Sequence, residues 1–166
     1  EAVGLDGIEK IIKDEGLVRA YKDGNDKEAR WNMMMASTEG AMAFSKGLGA
    51  VHSMSHAIGA NQQLNLHHGT LNAVILPTVL KFNRNHIENK YSRIATAMGI
   101  NQSVDLADEI RKLNELIGIP SGLAQMGVTE DMIPKLVKHA ITDPSNLTTP
   151  RLPNQEEWEK LFLESM

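Results

Sequence analysis

Apolar residues recur at three- and four-residue intervals along most of the chain, a spacing typical of helices that bury one face. Leu5, Ile8 and Ile12 follow it near the start, and no segment alternates apolar and polar residues as a half-buried strand would. We therefore predict an all-α fold, one multi-helix domain over residues 1–166 held together by helix-on-helix packing. The same spacing predicts helices over residues 49–60, 69–83, 86–97, 104–117, 133–141 and 155–163.

Polar residues and a proline mark several boundaries of these helices. Asp26 follows a Gly-Asn break and is a favourable N-cap. Asn154 with Glu157 three residues later forms the pattern of a capping box ahead of the final helix. Residues 61–66 are polar and indicate a loop. Pro77 lies inside an apolar segment, where we expect it to kink the helix or shift the start of its regular part.

The helix that begins near Asp26 carries large apolar residues at helical spacing, among them Trp31, Met34 and Met42. Two interpretations fit this methionine-rich helix. Methionine fills gaps in ordinary cores, and it also forms adaptable surfaces in helical binding modules that are not enzymes. The helical spacing favours core packing, so we expect these side chains to be buried.

Composition narrows the classes of function. The net charge of −4 and the scattered basic residues argue against nucleic acid as a partner, because phosphate binding needs a field of Lys and Arg. No apolar run is long enough to span a bilayer, and no secretory signal is present. The chain has no Cys, so a metal would be held by imidazole and oxygen ligands. Together these features favour a cytoplasmic protein without a membrane partner.

Histidine is the residue that points to chemistry. Four of the six histidines lie between Val51 and Gly69, in an apolar segment interrupted by glycines. His52 and His56 are four residues apart, which places both rings on one face of a helix, where they can hold one cation. His68 precedes the next helix and reaches the same point if the loop folds back. An exposed or hydrogen-bonded pair without a metal fits the same spacing, and no Glu follows His52 as in H-E-x-x-H metalloproteases.

The two remaining histidines suggest no chemistry. His86 and His139 lie in charged helical stretches, and we expect both to be solvated surface residues.

The histidine segment resembles a known signature. Gly47-Leu48-Gly49-Ala50-Val51-His52-Ser53-Met54-Ser55-His56-Ala57-Ile58-Gly59, followed by His68-Gly69-Thr70-Leu71-Asn72-Ala73-Val74-Ile75-Leu76-Pro77, is similar to the signature of iron-containing (group III) alcohol dehydrogenases. In that family the pattern is roughly G-L-G-x-x-H-x-x-x-H-x-x-G and then H-G-x-x-N-A-x-x-L-P. The likeness extends over most of the chain, as far as Thr149-Pro150-Arg151.

The resemblance implies a dehydrogenase of two domains, in which an α/β domain binds NAD or NADP and an all-α C-terminal domain carries a divalent metal, usually Fe²⁺ and sometimes Zn²⁺. One Asp and three His hold the metal in the family. His52 and His68 match the last two of these ligands. His56 matches a family histidine near the substrate and the nicotinamide, so it is the catalytic candidate.

Two departures from the family pattern affect these assignments. The interval between His52 and His68 is two residues longer than the commonest spacing. Position 67 is His where Pro is usual, so His67 competes with His68 as the ligand. We prefer His68 because it directly precedes Gly69.

The first two ligands and the Gly-rich nucleotide loop have no counterpart here, and the chain begins with Glu1 inside a helical pattern. We therefore expect a C-terminal domain whose N-terminal nucleotide-binding domain is missing, which is inactive alone. Its substrate would be a small alcohol or aldehyde, and a homo-oligomer is compatible with the sequence. Maleylacetate reductases, hydroxy-acid dehydrogenases and glycerol dehydrogenases, relatives that share the dehydroquinate synthase-like plan, are alternatives, as is a helical binding module without catalysis.

Overall fold

The computed structural model describes residues 1–101 and 103–166, with the side chain of residue 88 outside the description. Throughout these ranges the regular structure is helical and no strand occurs, which confirms the all-α class. None of the described helices has the length and apolar content that crossing a bilayer requires. The α-helices are α1 (Ala2–Ile12), α2 (Gly16–Lys22), α3 (Lys27–Ala43), α4 (Ala50–Gly59), α5 (His68–Asn83), α6 (Glu88–Ala97), α7 (Leu106–Leu116), α8 (Ile133–Thr142) and α9 (Gln155–Glu164).

The sequence-predicted boundaries are confirmed to within about two residues, and both predicted caps form. The Asp26 carboxylate accepts a hydrogen bond from the Ala29 N–H at 3.0 Å. Asn154 and Glu157 form the reciprocal capping box, with both backbone-to-side-chain distances at 2.9 Å. These contacts satisfy N–H groups that have no partner within their own helix.

The chain divides into two compact units, the first formed by residues 1–47 and 87–106. In this unit α1 packs against α3 through small residues. A Cβ added to Gly7 would lie 3.4 Å from the Ala36 carbonyl oxygen, and one added to Gly4 would lie 3.6 Å from the Ala43 Cβ. The buried residues of α3 are Ala29, Ala36 and Glu39, and the small residues among them and on α1 allow close approach of the two backbones.

The large apolar residues of α3 lie on its other face. Trp31 and Met34 are each 62% exposed and Met42 is 60% exposed. The expectation that this stripe packs in a core is therefore wrong. Helical spacing identifies a face, but it does not say whether the bulky face or the small-residue face meets the neighbouring helix.

The second unit comprises residues 48–86 and 107–166, and it contains the main hydrophobic core. Helix α4 packs against α5 and α8, and α9 packs against α8 and α5. Met54 and Ile58 of α4, Leu71 of α5 and Phe162 of α9 are fully buried. The core therefore fixes α4 and the first turns of α5, the two elements that carry the predicted site.

Pro77 lies inside α5, which begins at His68, so the proline does not shift the start of the helix. Because proline has no N–H, it cannot donate to the carbonyl of Ala73, four residues earlier. The Asn114 side-chain amide of α7 donates to that carbonyl instead, at 2.8 Å. A side chain from another helix thus replaces the missing backbone hydrogen bond.

Candidate metal centre

Helix α4 presents two of the predicted site residues. Its N-cap is Gly49 in an extended conformation, and His52 and His56 follow on successive turns of one face. The other faces bury Met54, Ala57 and Ile58 in the core. His52 is half-buried, and the His56 side chain is 41% exposed. The rings therefore lie at the surface of the second unit, although the surrounding sequence is apolar.

The two adjacent histidines at the start of α5 have different contacts. His67 is the N-cap, and its Nδ1 accepts a hydrogen bond from the Thr70 N–H at 3.3 Å. Its ring lies over Gly69, because a Cβ at that position would come within 3.0 Å of the His67 Cε1. His68 instead turns towards α4. The histidine at position 67, where the family pattern usually has proline, therefore serves as a helix cap.

Three imidazole rings converge where α4 meets the beginning of α5. The ring centroids of His52 and His68 are 5.3 Å apart, and those of His56 and His68 are 5.5 Å apart and nearly parallel. The His52 and His56 centroids are separated by 5.7 Å. The loop of residues 61–67 therefore folds back far enough to bring His68 beside the α4 pair.

The Asn72 side chain lies between the two predicted ligands. Its Nδ2 is 3.1 Å from Nε2 of His68 and 3.4 Å from Nε2 of His52. With Nδ2 of Asn72 as the donor, both Nε2 atoms act as acceptors, which corresponds to a proton on Nδ1 of each neutral ring. Both Nε2 atoms thus face the Asn72 amide nitrogen, and a cation ligated by both rings would replace these two hydrogen bonds. The Asn72 Oδ1 is buried without a hydrogen-bond partner.

Electrostatics favour the neutral form of His52. Burial is the main cause that lowers its pKa below 6.5, and repulsion from His68 and His56 lowers it further. Asp143 acts weakly in the opposite direction. A neutral imidazole is the form that ligates a metal, so these influences suit the donor set.

Asp143 contacts His56 from the segment that follows α8. Its Oδ2 lies 3.0 Å from Nδ1 of His56, and its Oδ1 accepts the Ser145 N–H at 2.8 Å. Burial is the largest influence on this carboxyl and would raise its pKa. Hydrogen bonds from the Ser145 side chain and backbone, and from His56, together outweigh burial and lower the pKa below 3.8. Asp143 is therefore a stable carboxylate at neutral pH.

The same segment is fastened to α4 at two further points. The Ser53 hydroxyl donates to Oδ1 of Asn146 at 2.7 Å, and the Thr148 hydroxyl donates to the Leu48 carbonyl at 2.7 Å. These bonds hold residues 143–148 along the histidine helix. Asp143 is consequently fixed relative to α4 by contacts other than its own.

The structure brings together His52, His56 and His68, whereas His67 caps α5. His86 and His139 are exposed, as expected. Within the described ranges no group of three or more His, Asp or Glu side chains is arranged to hold a metal ion. Two imidazole donors fit a cation, and any further ligands would come from elsewhere.

Sequence reasoning gave no role to Asn72 or Asp143, although Asn72 stands at the asparagine of the signature quoted above. Asn72 follows His68 by four residues in the same helix, so helical spacing could have identified it. Asp143 is 87 residues from His56 and gives no local signal.

Comparisons with known proteins identify the family of the chain. Residues 2–166 match the family described as Fe-containing alcohol dehydrogenase, C-terminal. The chain is 40% identical to the 4-hydroxybutyrate dehydrogenase of Cupriavidus necator, covering 100% of this chain and 45% of that protein. It is 33% identical to the 1,3-propanediol dehydrogenase of Klebsiella pneumoniae, over 98% of this chain and 43% of that protein.

A comparison with solved structures agrees with this family match. The crystal structure of a 1,3-propanediol oxidoreductase matches with a TM-score of 0.94 and 31% identity, over 100% of this chain and 45% of that one. The chain spans less than half the length of the curated relatives it matches. The chain therefore belongs to the iron-containing alcohol dehydrogenase family and corresponds to the C-terminal part of its proteins.

Proposed function

We propose that this chain is the metal-binding part of a metal-dependent, NAD(P)-linked alcohol dehydrogenase. The observation that carries the proposal is the convergence of the His52 and His68 Nε2 atoms on one point beside Asn72. Fe²⁺ is the metal suggested by the family, and Zn²⁺ is the alternative, because imidazole suits both. Activity of the whole protein requires further ligands and a nucleotide-binding domain outside this chain.

Each histidine has a separate role in the proposed reaction. His52 and His68 donate Nε2 lone pairs, and their fixed orientation avoids a cost of ordering on binding. A bound divalent metal supplies Lewis-acid polarisation of the substrate oxygen, and the nicotinamide supplies hydride chemistry. His56 holds or accepts the hydroxyl proton at Nε2, because its Nδ1 proton is engaged by Asp143.

The substrate is proposed as a small alcohol, with the corresponding aldehyde or ketone as product. The relatives named above are a 4-hydroxybutyrate dehydrogenase and a 1,3-propanediol dehydrogenase. The family assignment disfavours a helical binding module without catalysis. A hydroxy-acid dehydrogenase is the second candidate, favoured by the 40% identity to the Cupriavidus necator protein. A cytoplasmic location and a homo-oligomer remain predictions from the sequence.

The test uses the whole protein that contains this chain. Metal content is measured by elemental analysis, and NAD(P)-linked oxidation is assayed with ethanol, butanol, 1,3-propanediol and 4-hydroxybutyrate. Near-stoichiometric iron or zinc is expected in the active wild type, and His52→Ala should lose both the metal and the activity. His139→Ala is the matched control, since that exposed histidine lies on α8 and should leave both unchanged. Wild-type activity in His52→Ala would remove the ligand assignment.

A further inference from the structure

Asp143 uses its two carboxylate oxygens for different partners. Oδ1 accepts the Ser145 N–H at 2.8 Å and caps the short 3₁₀ helix Pro144–Thr148. Oδ2 lies 3.0 Å from Nδ1 of His56. The carboxyl group is only 14% exposed, so it is held in place by partners on both sides and is not a mobile surface acid.

A carboxylate only accepts hydrogen bonds, and this determines the proton position on His56. With Oδ2 at hydrogen-bond distance from Nδ1, the imidazole proton must lie on Nδ1. Nε2 then carries the lone pair. Without this partner, a neutral imidazole is free to carry its proton on either nitrogen and to rotate about its side-chain bonds.

The support for Asp143 is independent of its contact with His56. Asn146 accepts from Ser53 of α4 at 2.7 Å and Thr148 donates to the Leu48 carbonyl at 2.7 Å, so the segment is fastened to the first half of α4 and to the chain just before it. The ring of His56 stacks on His68 with an interplanar angle of 16°. The Asp143 carboxylate and the stacked His68 ring together hold the His56 ring in one orientation.

We propose that Asp143 is a positioning residue of this site, which fixes the orientation and the tautomer of His56 so that Nε2 is the proton acceptor. The proposal rests on the proposed role of His56 in alcohol oxidation. Asp143 does not touch the substrate, and it acts through His56 alone.

The decisive variant is Asp143→Asn, which keeps the size of the side chain and an oxygen for the Ser145 cap. Its amide nitrogen would then face Nδ1 of His56 and donate to it, which moves the imidazole proton to Nε2. We expect kcat to fall about 100-fold or more, the usual range for loss of proton transfer. The KM for the alcohol and the metal content should change by less than about threefold, because both ligands are untouched.

Asn146→Ala is the matched control for loosening of the segment. It removes the bond to Ser53 and the two bonds that the Asn146 amide donates to the Ala140 and Ile141 carbonyls. The Thr148–Leu48 bond still fastens the segment, and the Asp143–His56 pair keeps both of its partners. The kcat of this variant should stay within about threefold of wild type. An equal loss of kcat in Asp143→Asn and Asn146→Ala would overturn the proposal in favour of a purely structural role.

A second readout does not need activity. The zinc-loaded whole protein is labelled with ¹⁵N at its histidines, and His56→Ala identifies the His56 signals. At pH 8, His56 should carry its proton on Nδ1 in wild type and on Nε2 in Asp143→Asn. A proton on Nε2 in wild type contradicts the proposal.

The outcomes separate this inference from the proposed function. Full activity in His56→Ala would refute the catalytic role of His56. Loss of activity in His56→Ala with full activity in Asp143→Asn would refute only the role of Asp143. A wild-type protein that oxidises no alcohol would refute the proposed function, and the ¹⁵N spectrum would still decide whether Asp143 sets the tautomer.

Discussion

His67 and His68 are neighbours in the chain and differ in what their rings contact. The His67 Nδ1 accepts the Thr70 N–H, whereas the His68 Nε2 lies beside Asn72 and its ring beside that of His52. The His67 ring is directed at its own helix end and lies over Gly69, whereas the His68 ring centroid lies 5.3 Å from that of His52. The contacts therefore support His68 as the ligand.

Substitution of each histidine by alanine should separate the two roles. His68→Ala removes one of two donors and should weaken Zn²⁺ binding at least tenfold, measured by competition with a chromogenic chelator. His67→Ala should leave Zn²⁺ affinity unchanged and lower the free energy of unfolding by about 1 kcal/mol through loss of the cap. Urea denaturation checks the second effect. The reverse result, with weaker Zn²⁺ binding only in His67→Ala, would reassign the ligand.

The histidine cluster could be predicted because its members are close in sequence or belong to a recognisable signature. His52 and His56 share a helix face, and His68 follows after a short loop. Asp143 could not be predicted in this way, since its partner His56 is 87 residues away and no periodic pattern joins them. Contacts between distant segments depend on how helices pack, which spacing alone does not specify.

Among the helices, α5 shows how an element tolerates a residue that should interrupt it. Pro77 cannot donate to the Ala73 carbonyl, and Asn114 of α7 donates to it at 2.8 Å. Boundary signals predicted the extent of α5, but no local pattern indicates the hydrogen bond from Asn114. Whether Pro77 disturbs the helix therefore depends on Asn114, which lies 41 residues from Ala73 in the sequence.

A double-mutant cycle tests this account of α5. Asn114→Ala should lower the free energy of unfolding by about 1–3 kcal/mol, because the Ala73 carbonyl loses its donor in a partly buried position. In a Pro77→Ala background the backbone N–H of residue 77 can donate instead, so Asn114→Ala should cost about 1 kcal/mol less. Urea denaturation of the four proteins gives the coupling. Additive costs would show that Asn114 stabilises α5 by some other contact.

Helix α3 is the element that sequence reasoning placed wrongly. Its buried positions include Ala29 and Ala36, whereas Trp31, Met34 and Met42 are exposed. Hydrophobic periodicity marks the bulky face as buried, but helices can also meet through small residues that let their backbones approach. Gly4 and Gly7 of α1 are small residues of this kind. Their importance becomes clear only when α1 and α3 are seen to pack together.

For the whole molecule, the incomplete donor set predicts how metal affects stability. A ligand that binds only the folded state at 100 times its Kd stabilises that state by about 2.7 kcal/mol. The 166-residue chain offers two proposed imidazole ligands. At a Zn²⁺ concentration that stabilises the whole protein by this amount, the free energy of unfolding of the chain should rise by less than about 1 kcal/mol. Thermal unfolding with and without Zn²⁺ measures both proteins.

His52→Ala supplies the control for this comparison, because it should abolish the Zn²⁺ effect in both proteins. An equal gain in the chain and in the whole protein would mean that this chain holds the metal with its own residues. The alcohol dehydrogenase assay, run alongside, should detect turnover only in the whole protein.

The hydrogen bond from Asn114 to the Ala73 carbonyl also constrains the order in which mutations could accumulate. Proline at position 77 is better tolerated once asparagine stands at position 114, whereas the reverse order passes through an intermediate whose Ala73 carbonyl has lost its donor, at a cost of about 1–3 kcal/mol. A lineage that lost Asn114 first would face the same barrier. Positions 77 and 114 should therefore change together, and a mutational scan of either alone would misjudge which residues it accepts.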